Sequence, residues 1–459
     1  MVYSSLLYIY GFLPTALLLY YISPKKLREI VLLLLSMLFC GMISLYFLFF
    51  ISVFTLVNFF CTRLIKKMRN NEKLAAIPLT LGITFDLLAL FSFRTAYFSW
   101  LHNLIRAPES FYPIGISFFA LSSIGTMIDV YKGRVKADIR IIKFTLYIIF
   151  FPKLLMGPLL RYDSFSRIIN KRRSSLSGIG VGMTIFVKGF AKKVIAADNL
   201  YMLYRTVHSE NVGDISAATA WLGIIAYVFC LYFNLSGIAD MGTGAAYCFG
   251  IKMPQSFNYP LLSARIKYFA SRWQSQVVQW FRRYITKPLY NICHKKWTRE
   301  IIFVCGWALF MFWYTFDING LICGIILGIF IIIEARLRES QKMDFTGIFY
   351  TFLVVILCAV FLLGNSPSYS VRYLFAMIGA NGDFVDSQCF YLLKSYIVLI
   401  LLAMYASTDL FRNLMVRTGK SKIKVGLTLV SPLMVIILLI ICTALISYSG
   451  SSETLLMKL

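Results

Sequence analysis

The sequence predicts an all-α, polytopic membrane protein. The chain has 459 residues, of which 59% are hydrophobic, and its mean hydropathy is +0.74. Many apolar runs approach the roughly 20 residues that a helix needs to cross the hydrocarbon core, and short basic stretches separate them. The formal net charge of +26 suggests a nucleic-acid partner. We expect none, because the Lys and Arg residues lie in loops, where the positive-inside rule places them.

The alternation of basic and neutral loops predicts about 11 to 12 transmembrane helices, with both termini outside the cytoplasm. No cleavable signal is evident, so the first apolar run is interpreted as the first span. The long run at 30–62 has basic residues on both sides, which requires two short spans that turn near Gly41. The predicted spans are 4–22, two within 30–62, 77–93, 114–130, 178–197, 217–234, 301–315, 319–334, 347–364, 390–406 and 425–447.

The run at 144–160, FTLYIIFFPKLLMGPLL, is not predicted to span. Basic residues flank it on both sides, so it begins and ends on one side of the membrane. Pro152, Gly157 and Pro158 are expected to break a helix here. We interpret it as a re-entrant segment, which is tolerated at membrane depth only where it is buried in protein or lines a cavity.

The ten cysteines form no C-x-x-C pair, so neither a zinc site nor a disulfide framework is predicted. Most lie inside apolar runs and are interpreted as small core residues. We expect no metal and no bound cofactor.

Polar residues interrupt the apolar sequence at 231–263, where the chain carries Asn234, Ser236, Asp240 and Asn258. An ionisable group at membrane depth is costly and usually faces an interior cavity. The alternative is that Asp240 lies near the interface and caps a helix. The sequence does not decide between the two.

Two further stretches are unusually polar or aromatic. Residues 272–290 read RWQSQVVQWFRRYITKPLY, and residues 312–328 read FWYTFDINGLICGIILG. The second lies at the outer turn of a predicted helical pair. An ordinary polar turn at Asp317 and Asn319, followed by glycines that allow close helix packing, explains it without any function.

Several of these stretches, in the same order, resemble the membrane-bound O-acyltransferase family. Residues 113–135 are similar to the family pattern PLGISFYTFQ…YLIDVYRG, and 150–165 to FFPQLIAGPIVRYKDF. Residues 189–200 are similar to GLFKKVLIADNL, and 232–263 to YFDFSGYSDMAIG…GFRFPENFNYPYLS. The match is closest to the bacterial cell-envelope branch, which includes the alginate O-acetyltransferase membrane subunit and the teichoic-acid D-alanyl transferase.

The resemblance implies a single domain over 1–459, in which helices surround a central tunnel. Its parts are peripheral N-terminal helices (1–135), a core with the re-entrant and tunnel segments (136–340) and C-terminal helices (341–459). The residues expected along the tunnel are Pro152, Gly157, Pro158, Ser236, Asn258, Trp313 and Asn319.

The resemblance also implies a donor, which is acyl-CoA or an acylated carrier protein on the cytoplasmic side. The residues expected to bind this donor are Arg272, Trp273, Arg282, Arg283 and Lys287, since arginine suits phosphate. The alternative is a positive-inside loop beside lipid headgroups, with Trp273 and Trp280 as interface anchors. The two interpretations are compatible.

The sequence departs from the family pattern where the chemistry is expected. In the alignment with the family motif RRWHISLSTWFRDYLYIPL, Gln274 occupies the position of the histidine. In the alignment with WHGAGWNFILWGLLHG, Tyr314 occupies the position of a second histidine. The family acid in YFDF corresponds to Asn234. Glutamine exchanges no proton near neutral pH, and tyrosine ordinarily titrates near pH 10. None of the three histidines, His102, His208 and His294, falls in a predicted span: the first two fall in outer loops and the third in an inner loop.

We therefore expect a protein of the bacterial cytoplasmic membrane that takes part in acylation of envelope polysaccharides. Its catalytic candidates are Tyr314, Gln274, Asp240 and Asn234. The acyl group would pass to an extracytoplasmic hydroxyl acceptor, directly or through a secreted hydrolase-like transferase. The alternative is a catalytically inactive scaffold or partner subunit, which would act with a second member of the family.

Overall fold

The apolar runs fold as helices, because a helix satisfies its backbone hydrogen bonds internally where water is absent. The computed structural model describes residues 3–94, 113–136, 138–293, 295–337, 345–364, 366–409 and 422–449. Every regular element in these ranges is helical, which confirms the predicted all-α class.

The chain divides into two compact units. The first unit contains Met1–Phe186 and Ile238–Gln255, and the second contains Val187–Gly237 and Ser256–Leu459. The predicted division into 1–135, 136–340 and 341–459 stays a prediction.

The helices of the first unit follow a π-helical turn at Leu7–Phe12. They are α1 (Leu13–Ile22), α2 (Arg28–Ile43), α3 (Leu45–Met68), α4 (Glu72–Arg94), α5 (Ile116–Tyr131), α6 (Ile141–Ile149), α7 (Phe151–Leu154) and α8 (Tyr162–Asn170). Helix α9 (Leu176–Ala191) begins in the first unit and ends in the second.

The second unit continues with a π-helical turn at Lys192–Ala197 and with α10 (Asp198–His208). Helix α11 (Ala217–Cys248) begins in the second unit and ends in the first. The remaining helices are α12 (Ile266–Arg272), α13 (Ser275–Phe281), α14 (Lys287–Ile292), α15 (Lys296–Thr315), α16 (Ile318–Leu337), α17 (Phe345–Leu363), α18 (Pro367–Met377), α19 (Ser387–Ala406) and α20 (Lys422–Ser449).

Seven helices in the described ranges are long and apolar enough to cross a membrane. They are Leu45–Met68, Glu72–Arg94, Ala217–Cys248, Ile318–Leu337, Phe345–Leu363, Ser387–Ala406 and Ser431–Tyr448, and two shorter apolar helices are Leu7–Ile22 and Ile116–Tyr131. Large apolar side chains such as Leu45 (76% exposed) and Leu81 (62%) point outward, as lipid-facing residues do. The protein is therefore a multi-pass membrane protein, while the full count of spans and the orientation of the termini stay predictions.

The run at 30–62 forms two helices, as predicted, with the break at Ser44 rather than near Gly41. Ser44 is extended (φ −166°, ψ 144°), and its hydroxyl accepts a hydrogen bond from the Tyr46 N–H. Helix α3 then packs on α4, where the Asn58 amide donates to the Asp86 carboxylate at 2.6 Å.

The segment interpreted as re-entrant is broken, as its prolines and glycine predict. Helix α6 has nine residues, which rise about 14 Å, or half of the roughly 30 Å hydrocarbon core. After α7 the backbone leaves the helical conformation at 157–160, and Leu155, Met156 and Leu159 are buried. Tyr147 donates to the Leu160 carbonyl at 2.7 Å. The non-helical backbone is thus buried in protein, the condition under which membrane proteins tolerate it.

Helices α15 and α16 form a tight antiparallel pair in the second unit. A Cβ at Gly324 would lie 2.4 Å from the Trp307 carbonyl oxygen and 2.6 Å from the Ala308 Cα. Asp317 accepts hydrogen bonds from the Gly320 N–H at 2.8 Å and the Thr315 hydroxyl at 2.6 Å. This geometry favours the interpretation of 312–328 as a capped polar turn with close helix packing.

Two predicted boundaries are wrong. Helix α11 continues to Cys248 instead of ending at 234, because its polar residues lie within a largely buried helix. The predicted outer loop 198–216 is mostly helix α10, whose last residue is His208. His102 and His294 lie outside the described residues.

The prediction that most cysteines are small core residues is confirmed. All ten are free thiols, and only Cys61, Cys293 and Cys305 are not buried.

Candidate functional site

The basic stretch at 272–290 begins at the last residue of α12 and continues through α13 and most of α14. A π-helical turn at Arg282–Thr286 joins α13 to α14. Its first part lies beside residues 256–258. The Asn258 N–H donates to the Arg272 carbonyl at 3.2 Å, and the Ser275 N–H donates to the Ser256 carbonyl at 3.0 Å. The structure therefore brings together the predicted tunnel residue Asn258, whose side chain is exposed, and the backbone around Gln274.

Gln274 has a left-handed backbone conformation, with φ 41° and ψ 50°. This conformation costs a non-glycine residue about 1–3 kcal/mol and is often found at functional sites. The side chain is 3% exposed, and neither of its amide atoms has a hydrogen-bond partner among the described residues. A buried polar group without a partner costs about 1–3 kcal/mol. The site is thus strained and its amide is unused, which is the state expected of a ligand-binding group.

Tyr314 lines an apolar cavity of about 60 Å³ in the second unit. Trp273, the neighbour of Gln274 in the chain, lines the same cavity, together with Phe269, Phe310 and Cys323. The two motif positions aligned with family histidines are therefore joined through Trp273, although Gln274 itself is not part of the cavity wall.

Aromatic packing fixes this wall. The Trp273 ring lies 5.3 Å from that of Phe257 and 5.5 Å from that of Phe269, measured between centroids. The predicted tunnel residue Trp313 is buried, with its ring centroid 5.8 Å from that of Phe281. The Phe281–Trp313 pair thus joins α13 to α15, and Trp273, just after α12, packs on the segment that contains Phe257.

Asn234 and Ser236 lie on the part of α11 that belongs to the second unit. Asn234 is 1% exposed, and both its amide atoms lack a partner in the described part of the chain. The Ser236 hydroxyl is likewise buried and unpartnered there. Asn319 differs, because its amide donates to the Gly364 carbonyl at 2.5 Å and so links α16 to the end of α17.

The predicted residues of the first unit are Asp240, Pro152, Gly157 and Pro158. Pro152, Gly157 and Pro158 are all buried. Asp240 is half-buried and lies inside α11, so the interpretation that it caps a helix is wrong. These residues belong to the first unit, whereas Gln274 and Tyr314 belong to the second. A tunnel that includes both sets stays a prediction.

The predicted donor-binding residues lie along α12 to α14. Arg282 and Lys287 are exposed, whereas Arg272 and Arg283 are half-buried. The guanidinium carbon of Arg283 lies 5.6 Å from the centroid of the Tyr284 ring. Burial raises the pKa of the Tyr290 hydroxyl, against the lowering effect of the Arg282 and Arg299 charges. The stretch therefore presents cations beside tyrosine rings.

Sequence reasoning missed a buried ion pair in the motif at 189–200. The Lys193 ammonium lies 2.9 Å from the Asp198 carboxylate, and the lysine side chain is 3% exposed. Residues five apart do not share a face of an α-helix, but the π-helical turn at Lys192–Ala197 brings them together. Opposite charges five residues apart in an apolar run were the available signal.

Sequence reasoning also assigned no contact to His208. Its Nδ1 lies 2.8 Å from the Tyr369 hydroxyl, and its ring stacks on Tyr204 at 5.3 Å between centroids. The two residues lie at the end of α10 and near the start of α18, so no sequence spacing predicts their contact. Among the described residues, no group of three His, Cys, Asp or Glu side chains could hold a metal ion.

Comparison with known proteins places these features in a family. Residues 132–306 match "MBOAT, membrane-bound O-acyltransferase family". The chain is 34% identical over 296 residues to a probable alginate O-acetylase AlgI of Azotobacter vinelandii. This alignment covers 62% of this chain and 59% of that relative. It is 30% identical over 443 residues to a probable alginate O-acetylase AlgI of Pseudomonas putida, covering 90% and 89% of the two chains.

A more distant relative has a different activity in its name. The chain is 27% identical over 436 residues to a peptidoglycan O-acetyltransferase of Helicobacter pylori, covering 83% of this chain and 80% of the relative. The similarity to the Pseudomonas putida protein extends over nearly the whole of both chains, and the all-helical, multi-pass architecture agrees with it. This chain therefore belongs to the membrane-bound O-acyltransferase family.

Proposed function

We propose that this protein passes a short acyl group from a cytoplasmic thioester donor toward a hydroxyl group of an extracytoplasmic envelope polymer. The observation that carries the proposal is the apolar cavity whose wall includes Tyr314 and Trp273. Tyr314 lies in this wall, and Gln274 is the chain neighbour of Trp273 but does not line the cavity. The similarity to proteins described as acetylating alginate or peptidoglycan supports the acceptor class.

We propose acetyl as the transferred group, carried by coenzyme A or by a carrier protein near Arg272, Arg282, Arg283 and Lys287. The similarity to relatives described as alginate O-acetylases and as a peptidoglycan O-acetyltransferase supports this choice.

The reaction replaces the thioester C–S bond with an ester C–O bond, and the hydroxyl proton ends on the departing thiol. We propose that the Gln274 and Asn234 amides, both buried and unpartnered, donate hydrogen bonds to the acyl carbonyl oxygen, where negative charge develops. An amide cannot accept the proton near neutral pH. Tyr314 and Asp240 are the titratable candidates for that step.

A second candidate function is a catalytically inactive partner subunit. The observation that favours it is the chemistry of the two motif positions, which carry an amide and a phenol where the family pattern has imidazole. Such a subunit would retain the fold and would bind a secreted hydrolase-like transferase or a second family member.

The test uses the purified full chain in proteoliposomes, with radiolabelled acetyl-CoA or acetylated carrier protein and a polysaccharide acceptor. We expect label on the acceptor. Tyr314→Phe should lower the rate about 100-fold or more if the phenol transfers the proton, and Gln274→Leu by about 100-fold if the amide stabilises the oxyanion. Asp240→Ala tests the other base.

Gln274→His provides the informative control. Histidine is enriched at positive φ among non-glycine residues, so the backbone at this position should accept it. A higher rate in this variant would show that the site is built for acyl transfer. Absence of turnover and of thioester hydrolysis in both the natural chain and Gln274→His would exclude the enzyme and leave the partner subunit.

A further inference from the structure

A concave pocket of about 490 Å³ lies in the first unit. Among the described residues, four cationic side chains line it and no Asp or Glu does. They are Arg167, Lys171, Arg173 and Lys252, with Ser164 beside them. We call this the basic pocket. None of its residues belongs to the site around Gln274 and Tyr314.

The backbone holds two chain segments together in this pocket. Arg167 lies near the end of α8, and Lys171 and Arg173 follow that helix. Gly250 follows α11 with φ +77°, and a Cβ there would lie 2.5 Å from the Arg173 carbonyl oxygen. Only glycine allows this approach, so the main chain just before Lys252 lies against that of Arg173.

The four cations have no acidic partner among the described residues. None of them forms an ion pair within the described part of the chain. Arg167 donates to the Asp163 carbonyl at 3.3 Å and to the Ser164 hydroxyl at 3.5 Å, and these bonds leave most of its guanidinium donors unused. The Lys252 ammonium lies 5.5 Å from the Tyr247 ring.

Four other basic residues of the same unit form ion pairs. Lys66 and Arg140 both lie within 4 Å of the Asp138 carboxylate, at 3.9 Å and 3.0 Å. Arg134 and Arg161 share Asp129, at 3.5 Å and 3.2 Å. The basic pocket differs from these pairs because its four cations surround one concavity without an ion-pair partner among the described residues.

Helix dipoles do not neutralise the basic pocket. The C-terminal ends of α8 and α11 each carry roughly half a negative charge. Their sum is about one negative charge against four positive ones, so a net positive potential remains. An anion with several oxygen acceptors would satisfy both the charge and the free donors.

We infer that the basic pocket binds a phosphate ester. Arginine forms paired hydrogen bonds with phosphate, and lysine adds a mobile charge. A soluble phosphate ester such as coenzyme A and an anionic lipid headgroup share this chemistry.

The test measures both sources with the full-length protein. Coenzyme A is titrated calorimetrically onto protein in phosphatidylcholine nanodiscs. Retention of phosphatidylglycerol is measured by native mass spectrometry. The variant Arg173→Gln/Lys252→Gln removes two pocket charges, and the control Lys66→Gln/Arg140→Gln removes two paired, exposed charges of the same unit.

We expect the pocket variant to bind one of the two probes about tenfold more weakly, because charge-assisted hydrogen bonds to the phosphate are lost. Tenfold corresponds to about 1.4 kcal/mol. The control should change binding less than about twofold. Weakening confined to phosphatidylglycerol identifies a lipid headgroup, and weakening confined to coenzyme A identifies a soluble ester.

A third variant separates this site from the proposed donor residues. If Arg282→Gln/Lys287→Gln abolishes coenzyme A binding while the pocket variant binds both probes normally, the basic pocket is not a phosphate site and the proposed donor site stands. Equal loss in the pocket variant and in the Lys66/Arg140 control would also overturn the inference, because it would show a general charge effect.

Discussion

Asn234 and Asn319 are buried asparagines of the second unit whose amides differ in their hydrogen bonds. Neither amide atom of Asn234 has a partner in the described residues, whereas the Asn319 nitrogen donates to the Gly364 carbonyl and only its Oδ1 lacks a partner there. A buried polar group without a hydrogen-bond partner destabilises the fold, so replacing it with an apolar side chain stabilises the protein. Replacing a buried group that has a partner destabilises the protein, because the partner is left unsatisfied. The same substitution should therefore have opposite effects at the two positions.

We expect Asn234→Leu to raise the unfolding temperature and Asn319→Leu to lower it, with free-energy changes of about 1–3 kcal/mol each. Leucine is nearly isosteric with asparagine and favours helices. Thermal unfolding followed by tryptophan fluorescence in detergent measures both. A decrease at both positions would mean that Asn234 has a structural partner. In the acetyl-transfer assay Asn234→Leu should lose activity even though it gains stability.

Asp386 begins α19 as its N-cap. Its carboxylate accepts hydrogen bonds from the Cys389 N–H and the Thr219 hydroxyl, both at 2.8 Å. Burial acts to raise the pKa of this carboxyl group, but these bonds and one from Ser216 outweigh it, so the pKa lies below its usual value. The folded state therefore binds this proton less readily than the unfolded state does.

Asp386→Ala should lower the unfolding free energy by about 1 kcal/mol at neutral pH. Because the folded pKa is lowered, the stabilisation is present above the unfolded pKa of about 3.9 and is lost as the pH falls through the folded pKa. The difference in unfolding temperature between the natural chain and the variant should thus be constant from pH 7 to 5 and shrink below pH 4. A difference that persists unchanged to low pH would contradict a role for the charge.

The sequence predicts which residues form the candidate site, and their role there stays a prediction. It does not predict their conformation. The motifs pointed to Gln274, Tyr314 and Asn234, and the structure places all three in the second unit. The left-handed backbone at Gln274 was not predictable, because glutamine has no preference for positive φ. That conformation depends on the packing around α12 and α13.

At the scale of the element, the α15–α16 pair depends on the absence of a side chain at Gly324. We expect Gly324→Ala to destabilise the protein by about 1–3 kcal/mol, because the added Cβ would meet backbone atoms that cannot move separately from their helix.

Gly180 in α9 provides the matched control for this substitution. Apart from its chain neighbours and the backbone of its own helix, no atom of the described residues lies within 4 Å of a Cβ placed there. Gly180→Ala should be neutral or stabilising by about 0.5–1 kcal/mol, because alanine is the better helix former. Thermal unfolding of both variants measures the difference. Equal destabilisation would indicate that helix flexibility, rather than the close approach, explains the role of Gly324.

Hydropathy predicted the helices that are apolar along their length and failed where polar residues lie inside a helix. The spans at 77–93 and 319–334 correspond closely to α4 and α16. Helix α11 was cut short at Asn234, because a scale based on transfer to lipid does not recognise a helix that is surrounded by protein. Similarly, the sequence pattern of α10 includes several polar residues, which favoured a loop.

At the scale of the whole molecule, the family could be identified from ordered motifs, and the comparisons confirm it. The all-helical architecture follows from the bilayer as solvent, which forces each backbone group to bond within its own helix. The division into two units did not follow from the sequence. It depends on which helices pack together, and the apolar runs are too alike in composition to indicate their neighbours.

The left-handed backbone at Gln274 has a consequence for the history of the site. A glutamine codon and a histidine codon differ by one base at the third position, so a single mutation interconverts them. Since the neighbouring helices already impose the strained conformation, the exchange would need no rearrangement of the main chain. Histidine and glutamine at this position are thus one mutation apart on the same fold. A lineage could exchange them in either direction without passing through a variant that fails to fold.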